Sequence, residues 1–472
     1  MRIIPKRLRL LALAAAVGMA LANLLAVPVA PAGDLDWLAS SKSIPACATP
    51  VWPDVAGTTT DVALTSLASS ATASGCSYTT CTGTSNMARL YFSPSASLQN
   101  QGTADVPWFD WLGSSNAAPL APYNNRQHPL LTWNLYRIAG NGQIEQIGRG
   151  GVKHAWYATN VGCECYGGNI LWAGANSGNG SGCSDTYTAG NNNESRRLGP
   201  RSEILPKDAV WGRCGSLWDP TCSGVANDHG IGAPAHRMMV RESDLAPALN
   251  PGAQYVFEGW YLIRGEDNPD NNFRHAYGSS NWNGSNWSSF NYSGAQVSGP
   301  VIEAWAAQPV PPGGAAQIET LVTAEGRVKL AVRVSALGGG FYRYDYALMN
   351  LDFARPYTEG AEPNLRVLRN RGFERFAVAL ADATSLSSIE AADGAGLIPV
   401  WTANSVGAEV VFSAATATGT LDWGTLLRFS FVAARPPVPS TATLGVQEPG
   451  SPASYSIATL APGSMFMDGF ED

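Results

Sequence analysis

This sequence predicts an all-β chain of antiparallel β-sandwich domains, with long disulfide-stapled loops and few or no long helices beyond an N-terminal signal peptide. Three observations predict it. Charged residues are only 14% of the chain while Gly (50), Trp (15) and Tyr (16) are plentiful, which favours strands and turns over helices. Apolar and polar residues alternate with a period of two in LTWNLYR, VKLAVRVSA, FYRYDYALMN, RFAVAL, EVVFSA and LLRFSFVA. An even set of eight cysteines, all beyond the signal peptide, suits an exported chain held by disulfides.

In chain order, residues 1–32 read as the signal peptide. Arg2, Lys6, Arg7 and Arg9 precede an apolar run from Leu10 to Val27, and Ala30-Pro31-Ala32 fits the small-x-small rule for a cut before Gly33. A cut after Ala22 is the second candidate. An uncleaved anchor is the alternative, because the run approaches the ~18 residues that a spanning helix needs. Cleavage leaves a secreted chain, extracellular or periplasmic, with no stable membrane span. Without the four basic residues of the leader, 26 Lys and Arg face 37 Asp and Glu. That acidic balance, with no basic aromatic patch, argues against nucleic acid as a partner.

Residues 33–120 form an Ala/Ser/Thr-rich β region and residues 121–300 a central β domain with a Cys-rich Gly/Asn loop. Residues 301–446 form a C-terminal β-sandwich and residues 447–472 a flexible tail. In LTWNLYR, Leu131, Trp133 and Leu135 alternate with Thr132, Asn134 and Tyr136, as in a half-buried strand. A turn at AGNGQ returns the chain as a hairpin. In GVKHAWY, Val152, His154 and Trp156 share one face.

The stretch from Ile147 to Cys214 organises the rest. The candidate catalytic residues are Arg149, His154, Asp185 and Glu203, which would need to converge in a cleft. The structural alternative is a clasp: His154 buried between Val152 and Trp156, and Arg201 paired with Glu203 across an extended LGPRSE segment. Among the cysteines, proximity pairs Cys76 with Cys81 and Cys214 with Cys222. One of Cys163 and Cys165 then takes Cys183 and the other takes Cys47, because a bond between residues two apart strains the geometry. A metal site from Cys163, Cys165, Cys183 and a histidine is the alternative.

Two further sites are readable. Glu266, Asp267 and Asp270 in GEDNPDNN are candidate calcium ligands, although the spacing is not that of an EF-hand. Trp282, Trp287, Phe290 and Tyr292 would present flat faces to sugar rings if exposed, or pack a hairpin tip if not. No other cofactor is implied. The chain has no G-x-S-x-G elbow, no H-E-x-x-H, no P-loop and no C-x-x-C-H.

The pieces GRGGVKHAWYATN, GCSDTYTAGNN and LGPRSE resemble a family of uncharacterised bacterial secreted β-rich proteins. YVFEGWYLIRGEDN, VRVSALGGGFYRYDYALMNL and LDWGTLLRFSFVAARPP extend the resemblance over roughly residues 125–435. It implies secretion and a β-rich fold and assigns no catalytic residue. The closing FMDGFED resembles a short FxDGFE-type tail of exported Gram-negative proteins. The functional expectation is therefore an exported, non-enzymatic protein binding a polysaccharide or a surface protein. The alternatives are a secreted hydrolase using Glu203 and Asp185 as a carboxylate pair, and a metal-dependent enzyme.

Overall fold

The computed structural model describes residues 47, 49–53, 55–68, 70–109, 128–174, 180, 182–230, 232, 235–381, 385–392 and 401–463. The signal peptide and the FMDGFED end lie outside the described residues. The fold is all-β and its sheets are antiparallel. Among the described residues no helix is long and apolar enough to cross a membrane.

The first lobe is a sheet that rolls until its two ends meet. Its strands are β1 (Ser70–Ser77), β2 (Arg89–Pro94), β3 (Leu130–Ile138) and β4 (Ile144–Arg149), then β5 (Met239–Arg241), β6 (Gln254–Leu262), β7 (Phe273–Ser279) and β8 (Phe290–Tyr292). Pairing runs β3-β6-β7-β8-β1-β2-β5-β4 and closes where β4 returns to β3. Closure removes the open edges that a flat sheet exposes. The alternation in β3 sends Leu131, Trp133 and Leu135 inward to meet Phe92, Phe257 and Phe290. Fully burying each such side chain stabilises by roughly 1.5–3 kcal/mol. Because β1 and β2 belong to this ring, the expected boundary at residue 120 does not exist. The Ala/Ser/Thr-rich region and the central region share one core.

The second lobe is the expected sandwich. One sheet is β9 (Ala315–Thr323), β10 (Gly326–Gly338), β11 (Phe341–Asn350), β16 (Thr425–Ala433) and β13 (Leu386–Ala392), in that spatial order. The other is β14 (Trp401–Val406), β15 (Glu409–Ala414), β12 (Phe373–Ala379), β17 (Pro437–Val446) and β18 (Ser454–Pro462). Leu330, Val332, Tyr346, Phe376, Phe412 and Phe429 fill the space between them. The tail expected from residue 447 is corrected here, because β18 pairs with β17 from Pro437↔Pro462 to Gly445↔Ser454.

A third core lies in the seam between the lobes. Leu130, Tyr136 and Ile138 from β3, and Val256 and Trp260 from β6, meet Ala331, Ala347, Met349, Trp423 and Leu426 of the second lobe. Helix α1 (Val301–Ala306) adds Val301, Ile302 and Trp305. β3 and β6 are consequently buried on both faces, not half-buried as their alternation suggests. Their polar residues face the seam and must find partners there. Asn134, Tyr136 and Glu258 do: Asn134 Nδ2 donates to Tyr136 OH (2.8 Å) and to the Gly424 carbonyl (3.0 Å), and Tyr136 OH donates to Glu258 Oε2 (2.8 Å). Gln146 donates to the same Gly424 carbonyl (3.3 Å) and accepts from Leu426 N–H (3.0 Å).

Four disulfides staple the loops: Cys47–Cys165, Cys163–Cys183, Cys76–Cys81 and Cys214–Cys222. No cysteine remains free. The Cys163, Cys165 and Cys183 sulfurs lie within 4.8 Å of one another. Each is bonded to another sulfur, so the group presents no thiolate to a metal.

Gly424 is the tightest point of the seam. Its φ is +69°, and an added Cβ would collide with the Arg201 guanidinium and meet Trp260 at 3.0 Å. Gly424→Ala should therefore destabilise by ~2 kcal/mol more than Gly407→Ala, since displaced buried donors add their desolvation to the backbone strain. Gly407 has φ +58° and open space around it, so it isolates the strain. Equal losses in chemical denaturation would refute the role given to this contact.

Candidate functional site

Where β4 ends, Arg149 is followed by Gly150 and Gly151, and the chain then continues alongside β3 as Val152–His154. Gly151 is needed because a Cβ there would lie 2.5 Å from the Gly199 carbonyl and 2.8 Å from His236 Cβ. This close approach brings the LGPRSE segment down on the strand end. From the second lobe, the hairpin of Arg355–Glu359 and Arg366–Arg371 and the turn at Asp422-Trp423 close over the other side. Asn370 Nδ2 donates to the Arg201 carbonyl (3.1 Å) and the Ile204 carbonyl (2.6 Å), and Trp423 Nε1 also donates to the Arg201 carbonyl (3.1 Å).

Between these walls is a cleft of about 370 Å³. Five guanidiniums line it, from Arg149, Arg201, Arg237, Arg369 and Arg371, with His236 beside them and Asp422 the one carboxylate. Arg371 lies 3.6 Å from Asp422, and Arg369 faces outward to Glu448 at 2.5 Å. Arg237 donates to the Asn193 carbonyl (2.8 Å).

The floor differs from the rim. Arg201 Nε donates to the Gly150 carbonyl (2.9 Å), Nη1 to the Gly424 carbonyl (2.6 Å), and Nη2 to Thr132 Oγ1 (2.7 Å) and Asn134 Oδ1 (2.9 Å). Its guanidinium also lies over the Trp260 and Trp423 rings, 5.3 and 5.2 Å from their centroids. Arg149 donates to Thr425 Oγ1 (3.0 Å). Among the described residues no carboxylate lies within 4.0 Å of either group. Burial lowers the pKa of Arg201 well below the usual arginine value, and Arg149 lowers it further. Burial also lowers the pKa of Arg149, against the favourable field of Asp422. Two neighbouring, partly dehydrated cations, with no carboxylate in direct contact among the described residues and only the more distant charges of Asp422 and Glu258 to offset them, form a site that favours an anion.

The four catalytic candidates do not assemble. No hydrogen bond joins any two of Arg149, His154, Asp185 and Glu203 among the described residues. Only Arg149 reaches the cleft. His154 is fully buried, its Nδ1 2.8 Å from His128 Nε2 and its ring packed on Trp211 and Trp218. Burial and His128 hold its pKa well below the ordinary value. Trp156 does not share its face: the strand ends at His154, and Trp156 instead lies under the Lys153 ammonium, 4.3 Å from the ring centroid. Asp185 accepts from Thr159 N–H (2.7 Å) and Oγ1–H (2.8 Å), and burial raises its pKa. Glu203 accepts from Leu217 N–H (2.7 Å) and weakly from Trp211 Nε1–H (3.4 Å). The expected Arg201–Glu203 pair is therefore corrected, because Arg201 turns into the seam and Glu203 turns to the loop closed by Cys214–Cys222.

The carboxylates proposed for calcium are directed apart. Glu266 accepts from Val62 N–H (3.1 Å) and Asn268 N–H (3.1 Å), Asp267 accepts from Thr60 N–H (2.9 Å), and Asp270 pairs with Arg327 (2.6 Å) and Lys329 (3.6 Å). They fasten β7's approach loop to neighbouring strands. The aromatic face is corrected as well. Phe290 and Trp287 are buried and Trp282 and Tyr292 half-buried against the barrel core. Trp287 Nε1 donates to the buried carboxylate of Glu242 (2.8 Å). Sequence reasoning missed Arg237, Arg369 and Arg371. The readable signal was the i, i+2 spacing of Arg369 and Arg371, which sets both on one face of a strand.

Compared with protein-family models and with curated proteins, the chain matches none.

Burial raises the pKa of Glu203 from its usual 4.5 to about 7. The folded chain thus holds this proton more tightly than the unfolded one between those values, and stability is lost as pH rises through that window. Unfolding measured from pH 4.5 to 7 should show a negative slope of up to about 1.4 kcal/mol per pH unit from this group. Glu203→Gln should remove that component, and an unchanged slope would refute the assignment.

Proposed function

We propose that this is an exported, non-catalytic binding protein whose ligand is an acidic saccharide, bearing carboxylate or sulfate groups, held in the arginine-lined cleft. The observation that carries it is the pair Arg149 and Arg201, two cations at the floor of a concave site with no carboxylate within 4.0 Å of either among the described residues. A planar guanidinium binds such groups through parallel N–H donors, which Arg149 can offer beside its bond to Thr425, and the low exposure strengthens each bond. Arg201, whose N–H groups are taken by carbonyls and side chains, contributes its charge. Arg237 and Arg371 extend the positive lining to the rim, where a polymer could run past. The signal-peptide pattern and the disulfides support an extracellular setting, where acidic polysaccharides are available. The secreted-family resemblance points the same way. Asp185 is buried on Thr159 and Glu203 is half-buried on Leu217 and Trp211, and their separate partners support binding over hydrolysis, since glycoside cleavage needs two carboxyl groups facing one bond.

Calorimetry with uronate oligosaccharides, sulfated oligosaccharides and their neutral counterparts tests this. Anionic ligands should bind, neutral ones should not, and affinity should fall with added salt. Arg149→Gln should weaken binding by about tenfold or more, the worth of a lost charge-assisted bond. Chain lengths recovered after prolonged incubation should be unchanged; shortened products would restore the hydrolase reading. Equal affinity of Arg149→Gln and the parent chain would overturn the placement of the site.

A further inference from the structure

Arg201 faces two ways. One side lines the cleft; the other reaches a fully buried carboxyl through two side chains. Arg201 Nη2 donates to Asn134 Oδ1 (2.9 Å), Asn134 Nδ2 to Tyr136 OH (2.8 Å), and Tyr136 OH to Glu258 Oε2 (2.8 Å). Glu258 Oε1 accepts from the Val301 N–H that opens helix α1 (2.6 Å). The relay thus runs from the cleft floor, across β3 and β6, to the helix that packs in the seam.

We propose that anion binding in the cleft is coupled, through Arg201 and this relay, to the uptake of a proton by Glu258. The inference rests on the reading of the cleft as an anion site. Its physical basis is the balance of fields on one buried carboxyl. From β3 it is faced by Asn134 and Tyr136, from the LGPRSE segment by the cation of Arg201, and from α1 by Val301 N–H and the charge of Glu303. Glu303 is itself paired with Lys329 of β10 at 2.7 Å. From β7, His275 stands opposite in the ladder, its Nδ1 on the Gly299 carbonyl (2.8 Å) and its pKa lowered by burial, which favours the uncharged ring. Arg201 is the one cation among these that favours ionised Glu258 directly.

Burial sets the Glu258 pKa at about 7, with Arg201 holding it down and Glu303 pushing it up. An anion bonded to Arg149 beside the Arg201 guanidinium cancels part of the field that favours the carboxylate, so the carboxyl gains a proton from solvent. Uptake on binding means that affinity is highest below about pH 7 and falls as pH rises above the free-state value, levelling once the bound state also loses the proton. A shift of half a unit or more gives about a threefold or greater loss of affinity across that window.

The test uses sulfate and glucuronate, which stay ionised from pH 6 to 9, with the full exported chain. Proton uptake is measured by electrode in weakly buffered solution and by calorimetry in imidazole against Tris. The parent chain should take up a fraction of a proton, up to one, per anion at pH 7–8. Glu258→Gln should bind the anion with no uptake and with pH-independent affinity. His236→Gln and Glu203→Gln should retain uptake per bound anion. Should Glu258→Gln fail to fold, infrared spectroscopy of the parent chain decides: a protonated-carboxyl band must grow on anion addition. Binding without uptake, uptake persisting in Glu258→Gln, or uptake lost in His236→Gln would overturn this inference and leave the anion site standing. A parent chain that binds neither anion would overturn both.

Discussion

A single guanidinium stands at the junction of everything in this molecule. Arg201 donates to carbonyls of Gly150 and Gly424 and to the side chains of Thr132 and Asn134, so both lobes share one hydrogen-bonding centre. Gly424 returns the favour by accepting from Arg201, Asn134 and Gln146 at one carbonyl. Buried polar groups in a low-dielectric seam are costly unless every member is satisfied, so such a centre fixes the relative register of the two lobes more sharply than apolar packing alone. A slip of one residue would leave several of these donors and acceptors without partners.

The chemistry of those partners matters as much as their number. Carbonyls, an amide and a hydroxyl satisfy the guanidinium's geometry without neutralising its charge. Had Glu203 paired with Arg201, the same fold would hold an internal ion pair and no site. Instead Glu203 is turned toward Leu217 and Trp211, and Glu258 is kept two side chains away. The positive charge therefore remains available to the cleft while the donors of the guanidinium are satisfied. In the proposed reading, one residue serves both stability and ligand recognition.

The aromatic residues follow a different logic. Trp133, Phe92, Phe257 and Phe290 fill the rolled sheet, and Trp211 and Trp218 wall in the His128–His154 contact. Large rings cover much area at little entropic loss, which suits a chain with few long helices and many turns. The loop carrying Trp282 and Trp287 is rich in Asn and Ser, as a solvent-facing loop would be, yet its tryptophans fold back against the barrel. Glu242 anchors them through the Trp287 indole.

Period-two alternation, turn residues and cysteine count were local properties, and they were enough to determine an all-β chain, its sandwich, and short-range bridges such as Cys76–Cys81. Alternation tells which residues share a face of β3, because side chains on a strand must alternate. It does not tell what covers that face. Thr132, Asn134 and Tyr136 read as solvent-facing and are buried, because a second lobe nearly 300 residues along the chain supplies Gly424 to meet them. Closure of the first sheet, the turning of Arg201 away from Glu203, and the gathering of Arg149, Arg237 and Arg371 all depend on such distant contacts. Nothing in the neighbouring sequence encodes them, so only the tertiary structure decided where the cleft lies and which charges it keeps.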